Sequence, residues 1–109
     1  MLRKIKEILY RSFENKEISY KKMNEIMKNG TTYLIDVRSK QEYNEGHFDG
    51  AINIPVFDIE REIQNWVKNK SVTIIVYCSS GGRSRQAKEI LDRLGYENVY
   101  NLKDADLNL

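Results

Sequence analysis

Six consecutive residues, Val72-Thr73-Ile74-Ile75-Val76-Tyr77, are β-branched or aromatic and run without polar alternation. A strand with one face in water alternates apolar and polar side chains, whereas a strand covered on both faces reads as a continuous apolar run. The segment predicts a central strand sandwiched between helices. Such coverage requires helical segments before and after the run.

Leu2, Ile5, Leu9 and Phe13 recur at helical spacing, so residues 2 to about 14 are expected to form an amphipathic helix with Arg3, Lys4, Lys6 and Arg11 off the apolar face. It forms most of an N-terminal extension, 1–17, ahead of a single domain over 18–109. The helix would pack on its own domain, with docking on a partner or a membrane surface as the alternative. Ser19 is placed as the N-cap of a second helix carrying Met23, Ile26 and Met27, with Ile18 and Met23 as a hydrophobic staple and Gly30 as the stop. Tyr33–Val37 reads as a strand. Ser39-Lys40-Gln41-Glu42 fits a capping box, which predicts a short helix to about Glu45 ending at Gly46. Ala51–Ile54 is a further strand closed by Pro55. Val56, Ile59, Ile63, Trp66 and Val67 share one helical face, as do Ala87, Ile90, Leu91 and Leu94, ended by Gly95. Asn98–Leu102 is the last strand. Strands alternating with helices imply an α/β fold with a mostly parallel sheet, whose ligand crevice lies at the carboxyl ends of the strands.

Other classes drop out on simple counts. At 109 residues the chain builds one core. Its longest apolar stretch, Ile74–Cys78, is far short of a membrane span. Charge interrupts what would have to be the apolar region of a signal peptide at Met1–Glu7, so a cytoplasmic location is expected. The net charge is +2, with +4 gathered in residues 1–22, and this local excess is not the domain-wide basic surface of a nucleic-acid protein. One cysteine and one histidine exclude an internal disulfide and leave no zinc spacing; no metal or cofactor is expected.

The crevice rule directs attention to the residues after Tyr77. Cys78-Ser79-Ser80-Gly81-Gly82-Arg83-Ser84 joins the central strand to a helix. Small residues and paired glycines let successive N–H groups turn inward as an anion nest, and the helix start adds partial positive charge. A thiol there would have its thiolate favoured. Arg83 and Arg85 oppose the macrodipole in the first turn, an arrangement that suits a loop holding an anion. Spacing alone leaves a reactive thiol and an inert buried one equally open.

Three motifs bear on that choice. Ile35-Asp36-Val37-Arg38 with Glu42-Tyr43, then Gly46-His47-Phe48-Asp49-Gly50-Ala51-Ile52-Asn53-Ile54-Pro55, then Cys78–Ser84, resemble the rhodanese-homology domain in content and order over about residues 18–102. Gly95-Tyr96 at the end of the next helix fits the same family. The resemblance implies a five-stranded, mostly parallel sheet with helices on both faces. It also implies a sulfurtransferase in which Cys78 cycles through a persulfide. Sulfur would come from a small donor such as thiosulfate and pass to cyanide, a thiol or a protein acceptor. Backbone N–H groups of Ser79, Ser80, Gly81, Gly82, Arg83 and Ser84 would stabilise the anionic sulfur, with Arg83 binding the sulfonate end of the donor. A persulfide-carrying or partner-binding module is the alternative from another class. Dual-specificity phosphatases, or arsenate reduction on the same fold, form a further alternative. The phosphatases place one more residue between Cys and Arg than the four found here. The resemblance departs after Leu102, where Lys103-Asp104-Ala105-Asp106 replaces the usual glycine pair and aromatic, so a short closing helix is expected.

Asp36, Arg38 and Glu42 are read as structural, with Arg38 at pairing distance from Glu42. His47 follows the resembled family in shaping a turn and not activating the thiol. Trp66 and the tyrosines are expected in core and boundary packing.

Overall fold

The structure, a computed structural model, describes residues 16–103 and 105. The helix expected over residues 2 to about 14 and most of the tail after Lys103 lie outside the described residues.

Strand β1 is Glu17–Ile18, followed by helix α1 (Tyr20–Lys28), β2 (Thr32–Asp36), α2 (Lys40–Glu45) and β3 (Ile52–Asn53). A single 3₁₀ turn, Val56–Asp58, leads into α3 (Ile59–Trp66); β4 (Thr73–Tyr77), α4 (Gly82–Arg93) and β5 (Asn98–Leu102) complete the fold. The strands form one sheet in the order β1-β5-β4-β2-β3, and every pairing is parallel. β4 is central, with Leu34 opposite Ile75 on one side and Tyr100 opposite Ile75 on the other.

The uninterrupted apolar character of β4 follows from this position. Ile74 and Val76 point into one core with Ile59, Ile63, Ala87 and Leu91 of α3 and α4, while Ile75 and Tyr77 point into a second with Ile18, Met23 and Leu34. Ile74, Ile75, Val76 and Tyr77 are all fully buried. Each such aliphatic side chain contributes about 1.5–3 kcal/mol relative to exposure.

Local signals place the helices. The Ser19 hydroxyl accepts the Lys22 N–H at 3.2 Å, and Ile18 and Met23 share a core as the staple requires. At α2 the Ser39 hydroxyl accepts the Glu42 N–H at 3.2 Å, and the Glu42 carboxylate accepts the Ser39 N–H at 3.2 Å. Gly95 stops α4 with a left-handed φ of 95°, allowing the Tyr96 N–H to reach the Leu91 carbonyl.

The packing expected of Trp66 and Tyr20 needs correction, and one strand is new. Trp66 shares a predicted face with Ile59 and Ile63 but is 51% exposed. It is the last residue of α3, and Val67, turning to an extended conformation, takes the buried position instead. Tyr77 and Tyr96 are buried as expected, but Tyr20 is 54% exposed. The other difference is β1. Two residues carry no periodicity, and this strand exists through its partner: the Asn101 N–H donates to the Lys16 carbonyl at 2.7 Å and the Lys103 N–H to the Ile18 carbonyl at 3.1 Å. Lys103 and Ala105 are outside any helix, and Ala105 packs with Leu102.

Candidate active site

Cys78 is the first residue beyond β4, placed where the crevice of a parallel sheet forms. The strand end is held from the side by the Val37 N–H, which donates to the Tyr77 carbonyl at 3.0 Å. The chain then turns back over the thiol. Gly81 adopts φ 92°, a left-handed conformation that an L side chain rarely takes, and becomes the N-cap of α4. Of the glycine pair only Gly81 needs this freedom, because Gly82 is already helical.

The turn brings donors onto sulfur. The Gly81 N–H lies 3.1 Å and the Ser84 N–H 3.4 Å from Cys78 Sγ. Ser84 Oγ stands 3.4 Å from Sγ and 3.1 Å from the Gly81 carbonyl oxygen. With a protonated thiol, the S–H donates to Ser84 Oγ and the hydroxyl donates to Gly81; with a thiolate, the hydroxyl can turn to donate to sulfur. Cys78 is 1% exposed. Burial pushes its pKa up, but hydrogen bonds from the Ser84 side chain and from the N–H groups of Ser84, Gly81 and Ser80 outweigh it and bring the thiol below its ordinary value. Ser79, Ser80 and Gly82 are exposed and form the outer rim, whereas Gly81 and Ser84 are buried beneath it. The α4 N-terminus adds its positive end to the same nest.

Arg83 has a partner that no sequence spacing shows. Its guanidinium forms a bidentate pair with Glu42, Nη1 to Oε1 at 2.7 Å and Nη2 to Oε2 at 3.0 Å. The Arg83 guanidinium holds the Glu42 carboxyl down at about 2. Glu42 thus closes the α2 capping box and ties α2 to the cysteine loop. It does not pair with Arg38 as expected. Arg38 instead turns to the buried Asp36, donating Nη2 to Oδ2 at 2.8 Å and its own N–H to Oδ1 at 2.9 Å, and reaches the Gly46 carbonyl at 2.6 Å. The pairing with Asp36 raises the Arg38 pKa further.

His47 makes no approach to the thiol. Its Nδ1 lies 2.8 Å from the Tyr43 carbonyl, which can only accept, so Nδ1 carries the proton. Its ring stacks on Tyr43 with centroids 3.6 Å apart. Among the described residues no group of three His, Cys, Asp or Glu side chains could hold a metal, and no helix is long and apolar enough to cross a membrane.

Fold and site define a parallel α/β protein built around a cysteine loop whose N–H groups converge on the sulfur. The chain belongs to the rhodanese-like sulfurtransferase family: residues 19–105 match the Rhodanese-like domain. It is 47% identical over 75 residues to thiosulfate sulfurtransferase PspE of Escherichia coli K12, covering 66% of this chain and 72% of that protein. It is 37% identical over 90 residues to a tRNA uridine(34) hydroxylase of Buchnera aphidicola, covering 79% of this chain but only 29% of the hydroxylase. Among solved structures, a rhodanese with anions from E. coli aligns with a TM-score of 0.65 at 41% identity, covering 71% of this chain and 94% of that one. The human single-domain sulfurtransferase TSTD1 aligns with a TM-score of 0.72 at 26% identity, over 83% and 90% of the two chains.

Proposed function

We propose that the protein moves sulfane sulfur from thiosulfate or a similar small donor to cyanide or a thiol through a persulfide on Cys78. The observation that carries this reading is the set of donors converging on a buried Sγ from Gly81 and Ser84. The Cys78 thiolate bonds to the outer sulfur of thiosulfate, the S–S bond of the donor breaks, and sulfite leaves with the electron pair. The N–H groups that favour the thiolate then face the sulfur that carries charge during transfer. Cyanide or a thiolate bonds to the outer sulfur of the persulfide and returns the electron pair to Sγ.

The identity with a thiosulfate sulfurtransferase across 72% of its length supports the choice of donor. The Arg83–Glu42 pair favours sulfur over phosphoryl chemistry, since it engages the loop arginine that would otherwise neutralise a tetrahedral phosphoryl group. In this reading Arg83 orders the loop, and the sulfonate is met by backbone N–H groups.

Mass spectrometry of the intact protein tests it. Thiosulfate should add the mass of one sulfur atom, cyanide should remove it, and Cys78→Ser should abolish both steps. Native-rate turnover by the Cys78→Ser protein would overturn the assignment, and ready hydrolysis of an aryl phosphate without persulfide formation would favour the phosphatase alternative.

A further inference from the structure

Phe57 is the most exposed large hydrophobic side chain among the described residues, at 92%. Its position is fixed by its neighbours. In the 3₁₀ turn the Asp58 N–H donates to the Pro55 carbonyl at 2.8 Å, and the Val56 N–H donates to the Val37 carbonyl at 3.0 Å. Val56 and Ile59 are buried on either side of it in sequence. Three-residue periodicity then leaves Phe57 pointing outward, with no rotation of the turn that would bury it without exposing Val56.

Phe57 does not stand on an arbitrary surface. With Val37, Ser39, Pro55, Val56 and Arg83 it lines a cleft of about 100 Å³. Val37 bonds to the residue before Cys78, and Arg83 belongs to the cysteine loop, so the cleft opens beside the crevice that holds the thiol. Its one charged side chain is neutralised by Glu42. A side-chain-sized apolar group fits, whereas a sulfonate or sulfite would lose hydration there without gaining an unpaired cation.

We infer that Phe57 and this cleft determine acceptor choice by seating the apolar body of a small organic thiol while its sulfur attacks the Cys78 persulfide. The inference rests on the persulfide reading above and deepens it. In the step concerned, Cys78–S–SH and RS⁻ give Cys78–S⁻ and RSSH: the acceptor sulfur bonds to the outer sulfur, the old S–S bond breaks, and its electron pair returns to Sγ. Cyanide has no apolar body and makes no use of the shelf.

Two alkyl thiols of similar basicity, phenylmethanethiol and 2-mercaptoethanol, are compared with cyanide as acceptors for thiosulfate-loaded full-length protein. The native protein should prefer phenylmethanethiol in kcat/KM. Phe57→Ala should reduce that preference by about tenfold, the scale on which a hydrophobic pocket discriminates, while cyanide turnover is unchanged and Phe57→Leu retains part of the preference. An unchanged preference in Phe57→Ala, or an equal fall for cyanide, would overturn the inference. Titration with benzyl alcohol, which cannot accept sulfur, provides a readout independent of turnover. It should shift the NMR methyl signals of Val37 and Val56 in the native protein and not in Phe57→Ala. Those shifts in a protein that forms no persulfide would sink the sulfurtransferase reading and leave the apolar site standing; their absence from the native protein would sink the site itself.

Discussion

Two carboxylate–guanidinium pairs flank the cysteine loop, and they differ in almost everything except chemistry. Asp36 and Arg38 are two residues apart, with side chains 0% and 7% exposed; Glu42 and Arg83 are 41 residues apart, with side chains 33% and 38% exposed. The first pair sits at the end of β2 and extends through Arg38 to the Gly46 carbonyl, joining the strand end to the segment that leads into β3. The second joins α2 to α4 across the mouth of the site. A buried pair derives its importance from what would happen to one charge left alone, whereas a half-exposed pair is screened and contributes mainly geometry. The first is scaffold, and the second sets the posture of a loop.

The sharpest way to break this contrast is to remove one partner from the buried pair. Asp36→Ala leaves Arg38 uncompensated and should cost about 3–5 kcal/mol. At roughly 4–8 °C per kcal/mol for a domain of this size, thermal unfolding should show a fall of more than about 10 °C. A loss under about 1 kcal/mol would mean that burial does not separate the two pairs.

Glu42→Gln should be much milder, about 0.2–1 kcal/mol near neutral pH and smaller still in high salt. Its pH dependence gives the sign. Glu42 is lowered from 4.5 to about 2 in the folded protein, so its contribution is fully present above about pH 4.5 and is lost as the pH falls towards 2. Denaturant melts of native and Glu42→Gln proteins should therefore converge over that interval. A difference that grew on acidification would contradict the pairing.

The smallest effect concerns the thiol itself. Iodoacetamide alkylation of native Cys78 should show a midpoint below the ordinary 9.0, and Ser84→Ala should move it upward. Glu42→Gln should leave it nearly in place, because the donors on sulfur are local to the loop. If Glu42→Gln shifted the midpoint more than Ser84→Ala, the outer pair would be tuning the thiol as well as holding the loop.

Residues that act through periodicity or local capping are legible in the sequence. The run at Val72–Tyr77 declares a doubly covered strand, Ser39 and Glu42 declare a helix start, and Cys78–Ser84 places a small-residue turn at the crevice. Partners distant in sequence are not. Arg38 stands four residues before Glu42, a helical spacing, but α2 begins only at Lys40, so Arg38 never shares its geometry and finds Asp36 instead. The partner of Arg83 lies 41 residues upstream, and no spacing rule connects a capping glutamate to a loop arginine. β1 was invisible for a related reason: its pairing is written in β5.

The burial of Cys78 has a consequence for crowded solutions. It is the chain's single cysteine and is 1% exposed under its loop. A disulfide between two copies requires their Cα atoms to come within roughly 7 Å, an approach that the folded loop and α4 obstruct on both partners. Self-crosslinking between copies is thereby hindered while the fold holds, so the single thiol is withheld from the reaction partner that a concentrated solution supplies most often.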